Sequence, residues 1–360
     1  MRPIKTILKP LFYVLSISSI AYLGVVLSSC SGSPTTTSTA KPGSWDRIGD
    51  FGGSKRSSAA SFTIGDTVYL IGGFDATNTR VNDAWQFAAD KNSWIQKTDF
   101  PGTLRAGAVG FTIGAKGYVG AGQAINSVYL KDFWEFDPTG AGGLGTWKRI
   151  KDFGGLAEKG RNGAIAFTVA NRGFVGAGFN GLNELNDIWE YMPDGDTWVQ
   201  RVSLASKRVN SFAFTVDNYA YVGGGSNNGV NVKTIEQYDP SKDLWNEKLP
   251  LTQKDKTGAT IVQPISRDFA STFTSGSFGY ITSGSVNGQP FSDTWQYNPS
   301  SDTWIQYYSY STATDNGRPR DAAIGFAIGT FGYLTTGRSG STRFDDTWKF
   351  DPDGVEDNNQ

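Results

Sequence analysis

The segment Ser61–Gly73 reads SFTIGDTVYLIGG, two short runs that alternate apolar and polar side chains around a Gly-Asp pair. A period of two turns one side of each run to a core and the other to water, and the break between them is a hairpin turn. No stretch sustains the 3.6-residue apolar period of an amphipathic helix. The pattern predicts short strands and tight turns, hence an all-β protein.

The same hairpin returns in register along the chain. An Arg precedes a Phe by six positions in Arg56/Phe62, Arg105/Phe111, Arg161/Phe167, Arg208/Phe214, Arg267/Phe273 and Arg320/Phe326. Seventeen residues after each Arg stands a Gly: Gly73, Gly122, Gly178, Gly225, Gly284 and Gly337. A Trp-x-aromatic segment follows in five units (AWQF, FWEF, IWEY, TWQY, TWKF), whereas the fourth reads IEQY with Glu236 at the Trp position. A second Trp lies nine residues further on at Trp94, Trp198, Trp245 and Trp304, and Trp147 follows a Gly-rich insertion. Each unit thus holds four strand-sized pieces, a to d, and a period near 50 residues with four strands is that of a propeller blade.

These units resemble Kelch repeats, through the small-Gly pair after strand b, the strand c aromatic with its trailing Asp-Pro and the closing Trp. The resemblance runs from residue 44 to about 352 and implies a six-bladed β-propeller of four antiparallel strands per blade. It departs from the pattern at Glu236 and at TSG and TTG in the last two units, where Ser and Thr replace the first Gly. The sixth unit has Asp357 where its second Trp is due, while SWDRIGDF opens the repeats with a Trp that closes nothing before it. The simplest account is that residues 44 to 48 supply the outer strand of the last blade and close the ring. The propeller is expected to be monomeric.

Composition narrows the chemistry. The chain has no His, a single Cys and a formal charge of -1, and losing a basic leader would leave about -4. Imidazole catalysis, thiolate metal sites and disulfides within the chain are unavailable, so no metal or cofactor is expected. A nucleic-acid partner would need a basic face that this composition does not supply.

Residues 1–29 run from Arg2, Lys5 and Lys9 through an apolar stretch to small residues, the order of a secretory signal. LSSC at residues 27 to 30 resembles the lipobox of bacterial lipoproteins, which implies that Cys30 carries lipid and, with Ser31 after it, that the protein is held at the outer membrane or cell surface. The alternative is an uncleaved transmembrane helix with an incidental Cys. A Ser/Thr/Pro-rich linker extends to residue 43, the propeller spans 44–352, and an acidic tail occupies 353–360.

Two readings remain for the six arginines, Arg56, Arg105, Arg161, Arg208, Arg267 and Arg320. Each starts strand a near one mouth of the channel and could pair with the Asp two residues before the strand c Trp: Asp83, Asp132, Asp187, Asp293 or Asp346. Alternatively, they form an electropositive mouth for a carboxylate or sulfate. Arg208, whose unit has Thr234 in place of Asp, is the best candidate unless Glu236 takes over.

The distance from the second Trp to the next Arg varies (11, 11, 14, 10, 22 and 16 residues), which concentrates variation on the same face. There Tyr307, Tyr308 and Tyr310 could stack on sugar rings or simply extend strand d. The leading expectation is a non-catalytic module that binds a protein or a glycan on this face. The alternatives are a sugar mutarotase or epimerase, which would need only carboxylates and Arg near the channel, and a structural envelope protein. A copper oxidase of the related galactose oxidase type is disfavoured by the absence of His.

Overall fold

The computed structural model describes residues 41–154, 159–252, 262–312 and 317–355. Cys30, the leader and residues 31–40 of the linker lie outside the described residues. The rest forms six antiparallel sheets in which strands a, b, c and d lie side by side. In blade 1 they are Ala60–Ile64, Thr67–Asp75, Arg80–Ala88 and Ser93–Lys97. In blade 4 they are Phe212–Val216, Tyr219–Gly223, Ile235–Asp239 and Leu244–Lys248. The all-β, six-bladed architecture expected from the repeats is the one observed.

The six a strands touch one another in an unbroken circle that returns from blade 6 to blade 1. Threonines link them: the Thr112 hydroxyl donates to the Thr63 carbonyl at 2.7 Å, Thr168 to Thr112 at 2.8 Å, and Thr215 to Thr168 at 2.8 Å. A β-branched residue suits the strand, and its hydroxyl satisfies a carbonyl that no neighbouring strand pairs.

Between blades the filling is aromatic. The Phe of each strand a stacks face to face on the strand b aromatic opposite it, as in Phe111–Tyr118 at 4.9 Å and Phe326–Tyr333 at 4.9 Å. The stack then meets rings from strands c and d of the next blade, so that Phe167 and Phe174 pack against Tyr238 and Trp245. Glycine on the next strand b makes this possible: a Cβ at Gly117 or Gly173 would overlap the Phe62 or Phe111 ring. Such rings bury roughly 150–250 Å² each, so these interfaces carry most of the hydrophobic stabilisation.

The ring closes as the orphan Trp suggested, over a longer stretch. Ser44–Asp50 pairs antiparallel with Asp346–Asp351 of blade 6, placing Trp45 opposite Phe350 and Arg47 opposite Trp348, with a bulge before Gly49. Trp45 is 1% exposed and packs on Phe350 and Tyr310. Its indole donates to the Thr294 hydroxyl of blade 5 at 3.2 Å. Beyond the strand, the Gly43 amide donates to the Gly354 carbonyl at 3.0 Å, so the segments that flank the closing pair of strands are tied together.

Candidate functional site

Each repeated Arg enters the blade just before strand a and turns inward. The Arg56 guanidinium grips Asp83 with both terminal nitrogens, at 2.7 and 2.6 Å, and donates to the Gly72 carbonyl at 3.1 Å. It lies 4.6 Å over the Phe51 ring. Ion pairs join Arg105 to Asp132, Arg161 to Asp187, Arg267 to Asp293 and Arg320 to Asp346 in the same way. The strand c Trp completes the unit, its indole donating to that Asp in all five blades that have one. Burial alone would raise the carboxyls of Asp83, Asp132, Asp293 and Asp346. The hydrogen bond and charge of the arginine outweigh it and hold all four below the usual range.

Blade 4 reaches the same result with different residues. Arg208 donates to the Thr234 hydroxyl at 2.8 Å and to Glu236 Oε1 at 2.7 Å. The carboxylate has moved from the Asp position to the Trp position, and the longer Glu side chain brings it back to the guanidinium. Burial lowers the Arg208 pKa, and Glu236 pulls against that change.

All six guanidiniums are therefore at most 2% exposed, each with a carboxylate of its own blade. Of the two readings left open by the sequence, the geometry is that of the pair, and the arginines carry no free positive charge to the mouth. The tyrosines also lie in the framework. Tyr307 ends strand d of blade 5, its hydroxyl accepts a hydrogen bond from the Gln296 amide at 2.9 Å, and its ring abuts Phe350. Tyr310 is fully buried between Trp45 and Trp348, leaving no open face for a sugar. Tyr308 is half-buried, and its hydroxyl donates to the Thr312 carbonyl at 3.2 Å.

The repeated Gly has a backbone task. All six lie at φ between +77° and +99°, a region costly for any side chain. Each amide donates to the carbonyl of the next blade's Arg, from Gly73 to Arg105 and so around to Gly337 and Arg56. The residue two after each Arg (Ser58, Gly107, Gly163, Asn210, Phe269, Ala322) is also left-handed. Five of the six possible amide-to-carbonyl links between these residues are made at 2.8–3.3 Å. They form a hoop of backbone around the mouth of the channel.

Above the hoop is a cavity of about 240 Å³ lined by residues of every blade, among them Asn162, Asn210, Phe269 and Arg338. Around it the polar groups are uneven. The residue after each Arg is Ser57, Ala106, Asn162, Val209, Asp268 or Asp321, with the acids confined to blades 5 and 6. Asp321 is tied to Arg338 at 2.8 Å and accepts from the Ser285 hydroxyl at 2.6 Å. Asp268 accepts a 3.2 Å hydrogen bond from Ser226 on one oxygen, while its buried Oδ1 has no partner among the described residues. Burial and the neighbouring Asp321 push its carboxyl up to about 6, against the Ser226 hydrogen bond. The sequence did carry a sign of this pair, in SRDF and PRDA, but a search for what repeats passes over it.

Comparison with known families agrees with the blades. The KLHDC2/KLHL20/DRC7 Kelch-repeats domain model matches residues 43–208, and the Kelch motif model matches residues 207–248. No curated protein matches the chain significantly. The chain thus carries Kelch-repeat domains within a six-bladed propeller.

Proposed function

We propose that this Kelch-repeat propeller is a non-catalytic binding module whose ligand, a protein segment or a glycan, seats in the channel mouth. The observation that carries this reading is the 240 Å³ cavity: its floor and walls are shared by all six blades, yet the charged groups beside it occur once. A rigid hoop with a one-sided set of Asp268, Asp321 and Arg338 suits a fixed orientation of one polar ligand. Screening the full chain against glycan and peptide arrays tests it. A hit that weakens at least tenfold in both Arg338→Gln and Asn210→Trp supports it, whereas hits indifferent to both changes overturn it.

One observation favours a second reading. A carboxylate held near 6 with an unpartnered oxygen is suited to proton transfer, as a sugar mutarotase or epimerase would require. Anomer exchange followed by NMR decides: acceleration by the full chain that vanishes in Asp268→Asn would replace the non-catalytic reading. On the lipobox resemblance, we further propose a lipid on Cys30 and a place at the bacterial envelope. Metabolic labelling with a radioactive fatty acid should mark the wild type and not Cys30→Ala; equal labelling would end that proposal.

A further inference from the structure

A second cavity, of about 270 Å³, lies over blade 6 and is apart from the mouth. Four cations line it: Arg47 from the closing strand, Lys55 from the connection into blade 1, Arg318 from the connection into blade 6, and Arg343 from the hairpin before strand c. Two carboxylates share the groove, and both are already engaged. Asp346 belongs to Arg320, and Asp345 lies 3.4 Å from Lys55. Arg47 is turned to Asp50. Neither Arg318 nor Arg343 has a carboxylate partner among the described residues.

Arg343 is the informative member. It is 8% exposed, hence more than nine-tenths buried. Its terminal nitrogens donate to neutral acceptors, the Ser341 carbonyl at 3.3 Å and Asn78 Oδ1 at 2.7 Å, while its buried Nε has no acceptor among the described residues. Burial, and next the charge of nearby Arg338, weigh against its ionised form, and the charge of Asp75, with which it makes no ion pair, offsets them only in part. A buried guanidinium without a directly bonded anion is costly, and each of the six repeated arginines avoids that cost with a carboxylate in contact. Arg343 breaks the rule in a groove that also presents the exposed Arg318, which has no carboxylate partner among the described residues.

We infer that the blade 6 groove is a binding site for a phosphate-type oxyanion, held between Arg343 and Arg318 with Lys55 at its edge. Guanidinium forks match the tetrahedral oxygens of phosphate, and such a ligand brings the contact anion that neither arginine has among the described residues. The chemistry is common to free phosphate and to a phosphate ester on a larger molecule. The two cavities share no lining residue, although Arg343 lies 5.7 Å over Phe74, which lines the mouth.

The test is calorimetric titration of the full chain with inorganic phosphate and, in parallel, glycerol 1-phosphate. Saturable binding should weaken about tenfold or more in Arg343→Gln and in Arg318→Gln. It should be unchanged in Asn210→Trp, which fills the mouth, and in Arg149→Gln, the counterpart of Arg47 in blade 2. Saturation by both titrants means that the phosphate group suffices, and saturation by the ester alone means that the larger molecule is read. No saturable binding of either titrant, or undiminished binding in the exposed Arg318→Gln, would overturn the assignment. Arg318 lies on the surface, so its variant remains informative if Arg343→Gln fails to fold.

Discussion

The inner framework and the face above it are built by opposite rules. In the framework the arginine recurs six times and is met by a carboxylate each time: Arg56 by Asp83, Arg208 by Glu236, and so on around the ring. On the face, Asp268 keeps an oxygen without a donor, and Arg343 keeps an Nε without an acceptor, each in one blade alone. Residues that repeat are spent on closing the propeller, whereas those that occur once leave chemistry available. Blade 4 shows that even the repeat is defined by physics rather than by residue type. What is kept there is a carboxylate at the guanidinium, supplied from a different position of strand c.

The framework should break hardest at its closure. Deleting residues 44–51 removes strand d of blade 6 together with Trp45, whose truncation to Ala alone should cost about 3–5 kcal/mol. Chemical denaturation should therefore show the deletion losing more than Trp45→Ala, and ending the chain after Val355 should change little. A deletion as stable as the wild type would mean that blade 6 does not need its crossing strand.

The two regions should also respond to acid with opposite sign. Asp83, Asp132, Asp293 and Asp346 have lowered folded pKa values. Their stabilisation is complete above the unfolded value, about 4, and is lost as pH falls below it. Asp268 is raised to about 6, so its ionisation costs stability progressively from about pH 4 to 6 and fully above that. Asp268→Asn should then stabilise the protein at pH 7 by about 1–2 kcal/mol after allowance for solvent screening, with the gain vanishing near pH 4. Melting curves across pH 3–8 check both signs.

A smaller effect is expected where blade 6 departs from the repeat. Thr336 holds φ +61°, and its buried hydroxyl has no partner. Thr336→Gly should raise stability by about 1 kcal/mol. A loss on melting would show that the threonine methyl contributes more packing than its backbone costs.

How much of this was legible followed the range of the forces involved. Strands, blades and the Arg–carboxylate pairs could be read because Arg56 and Gly73 have counterparts at one spacing in all six repeats, and Asp83 and Trp85 have them in five, to within one residue. The crossing of Ser44–Asp50 was visible as a surplus Trp at one end and a missing one at the other. The left-handed hoop was not visible, because Phe269 and Ala322 carry no preference for φ > 0 and are held there by backbone bonds between blades. Tyr310 reads as an exposed aromatic in a polar loop. Its burial depends on Trp45 and Trp348, which reach it through the ring closure.

The central claim, that the repeated arginines are structural and take no part in ligand binding, is tested most directly by Asp132→Asn with Arg105 left in place. The account predicts a melting temperature about 5–10 °C lower, from removing one member of a buried pair, with the affinity for inorganic phosphate unchanged. A variant that melts like the wild type and binds the anion more tightly through the released Arg105 would contradict it.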